Sequence, residues 1–284
     1  MIPTTFEYQR ATSVDDALAK LAAANGSGKF LAGGHSLIPL MKLRLSEPPV
    51  LIDIGRIAEL SGIREKNGRI EIGALTVHHA VATSALVREQ CPVVAEAAAA
   101  IGDPQVRNRG TLGGSVAHAD PSADYPAALI AAGAEVLVQG PNGTRSIKAA
   151  ACFVDFFTVD IAPDEIVTSV LLAPSRASAY AKLYQRASHF AIVGVGASLE
   201  VSGGTIQSAR IGLTGASSHA LRLTKVETAL AGQPATPATI EAASRGAGAG
   251  LEVVNADLHA SEEYRRAMVD VFTKRALLAA LART

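Results

Sequence analysis

The sequence predicts an α+β protein that is built from more than one folding unit. Its 284 residues exceed the usual length of a single domain. A short unit in which strands alternate with a helix comes first, and three successive strands followed by helices come last. A mixed, glycine-rich segment lies between them. The mixture of a small α/β unit with a meander and later helices is typical of an α+β chain.

The first unit is predicted from one capped helix and two short strands. Ser13 is a suitable N-cap, since Asp16 follows three residues later and an apolar face then begins. Residues 29–31 and 50–54 are apolar enough to be strands. The first of these strands runs directly into the pair Gly33-Gly34.

The middle of the chain is predicted to mix helices with strands. Residues 69–72 alternate in the manner of a strand, and residues 77–87 and 93–101 are alanine-rich helix candidates. A polar, glycine-dense segment follows at 102–124. A helix at 126–132 and strands at 135–139 and 165–172 complete this part.

A linker is predicted at 174–178, where proline and serine interrupt the pattern. The remaining elements follow in order: strands at 180–186, 192–201 and 205–213, and helices at 225–231, 240–250 and 262–281. The second and third strands are joined by Ser202-Gly203-Gly204, which predicts a tight hairpin.

Composition excludes several classes of function. Basic and acidic residues are equal at 26 each, which offers no charge for binding nucleic acid or an anionic membrane. The longest apolar runs are too short to span a bilayer. Cys91 and Cys152 lie far apart and form no metal-ligand pair, so we expect two small buried side chains. No secretory signal pattern opens the chain, and we expect a reducing cytoplasm.

The first glycine-rich loop is Ala32-Gly33-Gly34-His35-Ser36-Leu37. A strand that ends in adjacent glycines can turn sharply and expose backbone N–H groups, which a pyrophosphate can then approach closely. Ser36 adds a hydroxyl donor. A single Gly-Gly pair is also compatible with an ordinary turn.

The second loop, Arg109-Gly110-Thr111-Leu112-Gly113-Gly114-Ser115, repeats this pattern between two hydroxyls. Asp120 and Asp124 follow, and either carboxylate is suited to accept hydrogen bonds from sugar hydroxyls or to cap a helix. Neither loop has the spacing of a Rossmann fingerprint or of a P-loop. Together the two loops predict a dinucleotide diphosphate that is held from two sides.

The same segments carry a family resemblance. The first loop running into Leu40-Met41-Lys42-Leu43-Arg44-Leu45, and the second running through Asp120-Pro121-Ser122-Ala123-Asp124, resemble the FAD-binding medium subunits of molybdenum hydroxylases such as the aerobic carbon monoxide dehydrogenases. The resemblance covers nearly the whole chain. It implies a two-part FAD-binding domain of the vanillyl-alcohol-oxidase (PCMH) type at 1–175, with subdomains of about 1–58 and 59–175. A C-terminal domain of an antiparallel sheet with helices would follow at 176–284.

The resemblance also implies which residues contact FAD. They are Ala32, Gly33, Gly34, His35, Ser36, Leu37, Thr111, Gly113, Gly114 and Ser115 at the diphosphate, with Asp124, Ile166 and Lys182 further along the cofactor. The family often has a tyrosine that shields the flavin ring, and here Tyr184 and Phe190 both remain candidates.

The resemblance implies a complex in which the substrate is oxidised elsewhere. A large molybdopterin-binding subunit and a small iron–sulfur subunit would be the partners, in a dimer of heterotrimers, and electrons would pass through FAD to an external acceptor. The complex would be cytoplasmic or peripheral to the inner face of the membrane. Two isolated cysteines cannot ligate a four-cysteine cluster in this chain.

Two other interpretations stay open. His35 follows a Gly-Gly pair as in stand-alone oxidases that attach FAD covalently to histidine. A non-catalytic nucleotide-binding module is the third possibility. The neighbours His78 and His79 point about 100° apart on a helix, so they are not expected to share a metal.

Overall fold

The structure, a computed structural model, describes residues 2–284. Its first part is a parallel three-stranded sheet in the order β1-β3-β2. The elements are β1 (Glu7–Arg10), α1 (Val14–Ala23), β2 (Gly28–Leu31), α2 (Leu37–Lys42) and β3 (Val50–Asp53). As predicted, the Ser13 side chain accepts a hydrogen bond from the backbone N–H of Asp16 and caps α1. Since all three strands point the same way, the first glycine loop lies at their carboxyl ends.

The central part is an antiparallel five-stranded sheet in the order β4-β5-β10-β6-β7. A short 3-10 helix at Ala58–Leu60 leads into it. The strands are β4 (Ile63–Lys66), β5 (Arg69–Gly73), β6 (Glu135–Gly140), β7 (Gly143–Lys148) and β10 (Ile166–Leu172), with a small hairpin of β8 (Phe153–Asp155) and β9 (Thr158–Val159). Alternate residues of β6 are buried, which places Val136 and Val138 in the core.

Seven helices accompany the central sheet in the described residues. They are α3 (His78–Thr83), α4 (Ala85–Gln90), α5 (Pro92–Ala100), α6 (Pro104–Arg107), α7 (Leu112–His118), α8 (Asp124–Ala131) and α9 (Ala149–Cys152). Every residue of α8 is buried, because this helix is covered on both sides.

The C-terminal part is an antiparallel sheet in the order β11-β12-β13-β14, packed against helices. Its elements are β11 (Ser178–Tyr184), β12 (Ala191–Ser202), β13 (Thr205–Thr214), β14 (Leu221–Arg222), α10 (Thr224–Leu230), α11 (Pro237–Ser244) and α12 (Glu262–Leu281). Gly203 and Gly204 have φ of 57° and 73°, which is the backbone of the predicted tight hairpin. The predicted α+β class is therefore confirmed.

The backbone of helix α8 lies in direct contact with the backbone of two C-terminal strands. A Cβ on Gly212 of β13 would overlap the carbonyl of Ala127 and lie 3.0 Å from its Cα. A Cβ on Gly196 of β12 would lie 2.9 Å from the same carbonyl oxygen. The two strands can pack this closely only because these residues have no side chain.

Some predicted elements differ from the structure. The helix predicted at 77–87 is two helices, since Ser84 leaves the helical backbone and caps α4. The glycine-dense segment contains α6 and α7, which Asp103 and Thr111 cap. The predicted linker is a packed connection, where Ser175 donates its backbone N–H to Gln90 and is 8% exposed. No helix in the described range 2–284 is long and apolar enough to cross a membrane.

Candidate functional site

The two glycine-rich loops lie in direct contact. A Cβ on Gly33 would overlap the carbonyl oxygen of Arg109 and lie 2.9 Å from the Cα of Gly110. On the other side, a Cβ on Gly114 would lie 4.0 Å from the Cβ of Ala32. Segments almost eighty residues apart in the chain therefore form one surface, as the sequence predicted.

The first loop presents unpaired backbone donors. Among the hydrogen bonds of residues 2–284, none uses the N–H groups of Gly33, Gly34, His35, Ser36 or Leu37. Gly34 has φ of +77°, a left-handed backbone that turns the loop after β2. Five successive N–H groups without a protein acceptor are available to a ligand, and such successive backbone donors are suited to phosphate oxygens.

The second loop differs from this expectation, because its own N–H groups are occupied. Leu112 and Gly113 donate to the carbonyls of Thr76 and Ala74 at 3.0 and 2.8 Å, and Gly114 donates to the Thr111 hydroxyl at 3.2 Å. What this loop offers a ligand is the Ser115 hydroxyl, which makes no hydrogen bond within the described chain. Gly113 is required by packing, since a Cβ there would lie 2.9 Å from the Ala74 backbone.

A buried histidine, His78, packs against the second loop. His78 is 5% exposed, and its backbone N–H donates to the Gly110 carbonyl at 3.0 Å. Its ring packs against Tyr125 at a centroid distance of 5.3 Å, and its Nδ1 has no partner among the described residues. Burial lowers the pKa of His78 to about 4, with help from the charges of His35 and Arg107. His79 is exposed, so the two neighbours diverge as predicted.

Asp124 and Lys182 form a buried ion pair between the central and C-terminal parts. The Lys182 Nζ donates to Asp124 at 2.8 Å and to the Ala100 carbonyl at 3.0 Å, and Tyr180 donates to the other carboxylate oxygen at 2.6 Å. Both side chains are about 5% exposed. Burial raises the pKa of Asp124, against the opposing effect of Lys182. The expected ligand carboxylate is thus engaged with protein donors.

A cavity of about 430 Å³ lies beside this ion pair and is called here the Lys182 cavity. Its walls come from the end of α5, the α6 segment and strand β11. The lining residues include Gly102, Arg107, Lys182, Tyr184 and His189. Tyr184 and His189 meet edge to face at 5.4 Å. Tyr184 lines this cavity and Phe190 does not.

A second cavity of about 260 Å³ lies at the carboxyl ends of the parallel strands. Ala32 and Gly33 form part of its wall, and Arg10, Arg56 and Arg109 surround it. Asp53 in this wall accepts hydrogen bonds from Tyr8 and from the Gly55 N–H. The first glycine loop therefore lies in a region of positive charge.

Ile166, an expected ligand contact, is buried in the structure. It is 3% exposed and belongs to the core of the amino-terminal sheet, against which Ala32 packs. Its position supports the first loop from behind. The sequence did not indicate that His78 holds the second loop or that Gly102 lines the Lys182 cavity, because both positions depend on contacts with residues remote in the chain.

The site residues fit the diphosphate of FAD. The N–H groups of the first loop can donate to phosphate oxygens, and the Ser36 and Ser115 hydroxyls make no hydrogen bond within the described chain. Cys91 and Cys152 are free and buried, and burial raises the pKa of each thiol to about 12, so neither is a reactive thiolate.

Comparison with known proteins agrees with this geometry. The model of the FAD binding domain in molybdopterin dehydrogenase matches residues 4–175, and that of the CO dehydrogenase flavoprotein C-terminal domain matches residues 178–280. The carbon monoxide dehydrogenase medium chain of Hydrogenophaga pseudoflava is 41% identical over 100% of this chain and 99% of its own. The 6-hydroxypseudooxynicotine dehydrogenase complex subunit alpha of Paenarthrobacter nicotinovorans is 37% identical over 100% and 97%.

Solved structures show the same fold. Carbon monoxide dehydrogenase from Hydrogenophaga pseudoflava superimposes with a TM-score of 0.95 at 42% identity, covering 100% of this chain and 99% of that one. Quinoline 2-oxidoreductase from Pseudomonas putida 86 gives 0.92 at 29% identity, with 99% of both chains covered. This chain therefore belongs to the FAD-binding medium-subunit family of the molybdenum hydroxylases, the oxidoreductase family that includes the carbon monoxide dehydrogenase medium chains.

Proposed function

We propose that this chain is the electron-transfer subunit of a molybdenum hydroxylase complex and that it holds one FAD between its two glycine loops. The observation that carries the proposal is the row of five unpaired N–H groups in the first loop, in contact with the second loop. A phosphate group satisfies several such donors at once, which few other small ligands can do.

Each loop has its own part in binding. Residues 32–37 supply backbone donors and the Ser36 hydroxyl. Ser115 supplies a free hydroxyl and Thr111 a hydroxyl that also accepts the Gly114 N–H, while Gly113 and Gly114, whose N–H groups are used within the chain, contact the ligand through backbone without a side chain. Asp124, Ile166 and Lys182 lie near the rest of FAD in this proposal: Lys182 lines the Lys182 cavity and is paired with Asp124, and Ile166 packs behind the first loop. We also propose the division of the chain at about residue 175, with subdomains of about 1–58 and 59–175.

A bound flavin supplies the ability to exchange electrons singly or in pairs. The protein binds and orients it through the two loops and the Lys182 cavity. No side chain of this protein acts as an acid or base on the primary substrate in this scheme.

The partners follow from the same scheme. A large molybdopterin-binding subunit would oxidise the substrate, and a small iron–sulfur subunit would pass the electrons to this chain. We expect a dimer of heterotrimers in the cytoplasm, with contact to the inner face of the membrane made through the complex. The named relatives act on carbon monoxide and on 6-hydroxypseudooxynicotine, so family membership leaves the substrate to the large subunit.

Absorbance and acid precipitation test the proposal. The purified chain, alone or with its partners, should show flavin bands after FAD is added and unbound FAD is removed by gel filtration, and FAD should stay in the supernatant when acid precipitates the protein. A yellow pellet from the wild type and a colourless one from His35→Gln would instead support the stand-alone covalent oxidase. A protein that shows no flavin bands with FAD would refute both flavin assignments and leave the non-catalytic module.

A further inference from the structure

We propose that Arg107 lies against the flavin ring in the Lys182 cavity and stabilises the reduced ring by its charge. This inference rests on the proposed function, because it assumes that FAD is the ligand of the two loops. It adds a residue that the resemblance did not assign, together with a measurable property.

The guanidinium of Arg107 is held by one nitrogen only. Its Nη1 donates to the carbonyls of Ile101 and Gly102, at 2.9 and 2.8 Å. Within the described chain, Nε and Nη2 make no hydrogen bond. One edge of the group is therefore fixed by the backbone, while the other edge remains available to a ligand in the cavity that Arg107 lines. Such a planar donor fork suits a carbonyl or another anionic edge.

The backbone that holds Arg107 is itself shaped for this contact. Gly102 has φ of +34°, and a Cβ there would lie 3.1 Å from the side chain of Val106. The Gly102 carbonyl accepts from Arg107 and faces Nδ1 of His189 at 3.5 Å. Arg107 thus stands where the α5–α6 turn meets the C-terminal part of the chain.

Charge pairing leaves Arg107 as the uncompensated fixed cation of the cavity. Lys182 is neutralised by Asp124, and the Glu96 carboxylate is paired with Arg283. Arg107 has no carboxylate within ion-pair distance in the described chain. Its field also reaches His78, whose pKa is lowered by burial and by the charges of His35 and Arg107.

A flavin ring that takes up two electrons and one proton gains one negative charge, which spreads over its pyrimidine edge. A cation fixed beside the ring stabilises that form more than the neutral oxidised ring. The aromatic wall at Tyr184 and the volume of about 430 Å³ make the Lys182 cavity the better place for the ring than the smaller, arginine-rich one.

The test compares Arg107→Gln and Arg107→Lys with the wild type. The matched control is Arg88→Gln, an exposed arginine of α4 without an ion pair in the described residues. Midpoint potentials of the bound FAD are measured by spectroscopic titration with a chemical reductant, and the dissociation constant of oxidised FAD by fluorescence. For Arg107→Gln we expect the affinity for reduced FAD relative to oxidised FAD to fall about tenfold, a lowering of about 30 mV for a two-electron couple.

Arg107→Lys should restore most of the potential, because it keeps the charge, and Arg88→Gln should leave it unchanged. Equal potentials in Arg107→Gln and the wild type would overturn the inference, as would a lysine variant with the potential of the glutamine variant. If the glutamine variant loses FAD on purification, its dissociation constants for oxidised and reduced FAD are titrated with FAD in excess instead, and an equal weakening of the two would overturn the inference. A wild type that binds no FAD would refute the proposed function instead, so the two failures are distinguishable.

Discussion

Replacing Gly33 with alanine tests whether contact between the two loops creates the diphosphate site. The added Cβ would overlap the Arg109 carbonyl and lie 2.9 Å from Gly110 Cα, and all of these are backbone atoms. The loops must therefore separate, which we expect to destabilise the apoprotein by about 1–3 kcal/mol. If the movement removes one N–H from a phosphate oxygen, the loss of about 1.5–3 kcal/mol weakens FAD binding roughly 10- to 150-fold.

FAD fluorescence titration and thermal unfolding measure the two effects separately. Gly250→Ala is the matched control, because a Cβ there would meet its nearest neighbours at 3.4 Å, an ordinary contact, and φ is not in the left-handed region. The reasoning is refuted if Gly33→Ala binds FAD with the wild-type dissociation constant. Loss of stability in the control equal to that of Gly33→Ala would show that the cost is not specific to the loop contact.

Two further substitutions test the buried charges. Asp124→Asn leaves the Lys182 ammonium buried without a counter-charge, so we expect the free energy of unfolding in urea to fall by about 3–5 kcal/mol. Much of this loss should be recovered when Lys182→Met is added. Single variants that each lower the free energy of unfolding by less than about 1 kcal/mol would contradict this reasoning. The pKa of His78 lies at about 4 in the folded protein, against 6.5 for an ordinary histidine. The unfolded chain therefore binds a proton first as the pH falls, and roughly 3 kcal/mol of stability should disappear between these pH values. His78→Gln should abolish this loss. If the difference in free energy of unfolding between the wild type and His78→Gln does not change with pH, His78 is not a neutral buried imidazole.

Local signals predicted much of the fold. Ser13 and its following acidic residue correctly indicate the start of α1, Gly203-Gly204 indicates the hairpin, and the pattern of α12 matches its bounds, Glu262–Leu281. Each of these depends on residues that are close together in the chain. Strands β4 and β7 were missed because they are short, and exposed residues dominate their sequences.

The site was only partly readable from the sequence. The two glycine pairs identified the loops. They did not show that N–H groups of the second loop donate hydrogen bonds to the carbonyls of Ala74 and Thr76, almost forty residues earlier in the chain. The Asp124–Lys182 pair joins residues 58 positions apart, and no local pattern shows that a carboxylate will meet an ammonium rather than a ligand. The sequence also did not show that Ile166, expected at FAD from its position, is buried in the core against which Ala32 packs.

The glycine contacts at helix α8 have a mechanical consequence. Gly196 and Gly212 bring two strands onto the backbone of one helix, and interlocked main chains cannot slide without breaking van der Waals contact along the whole seam. The Lys182 cavity takes walls from both sides of that seam. A change in the width of this cavity would therefore require the glycine contacts at α8 to break.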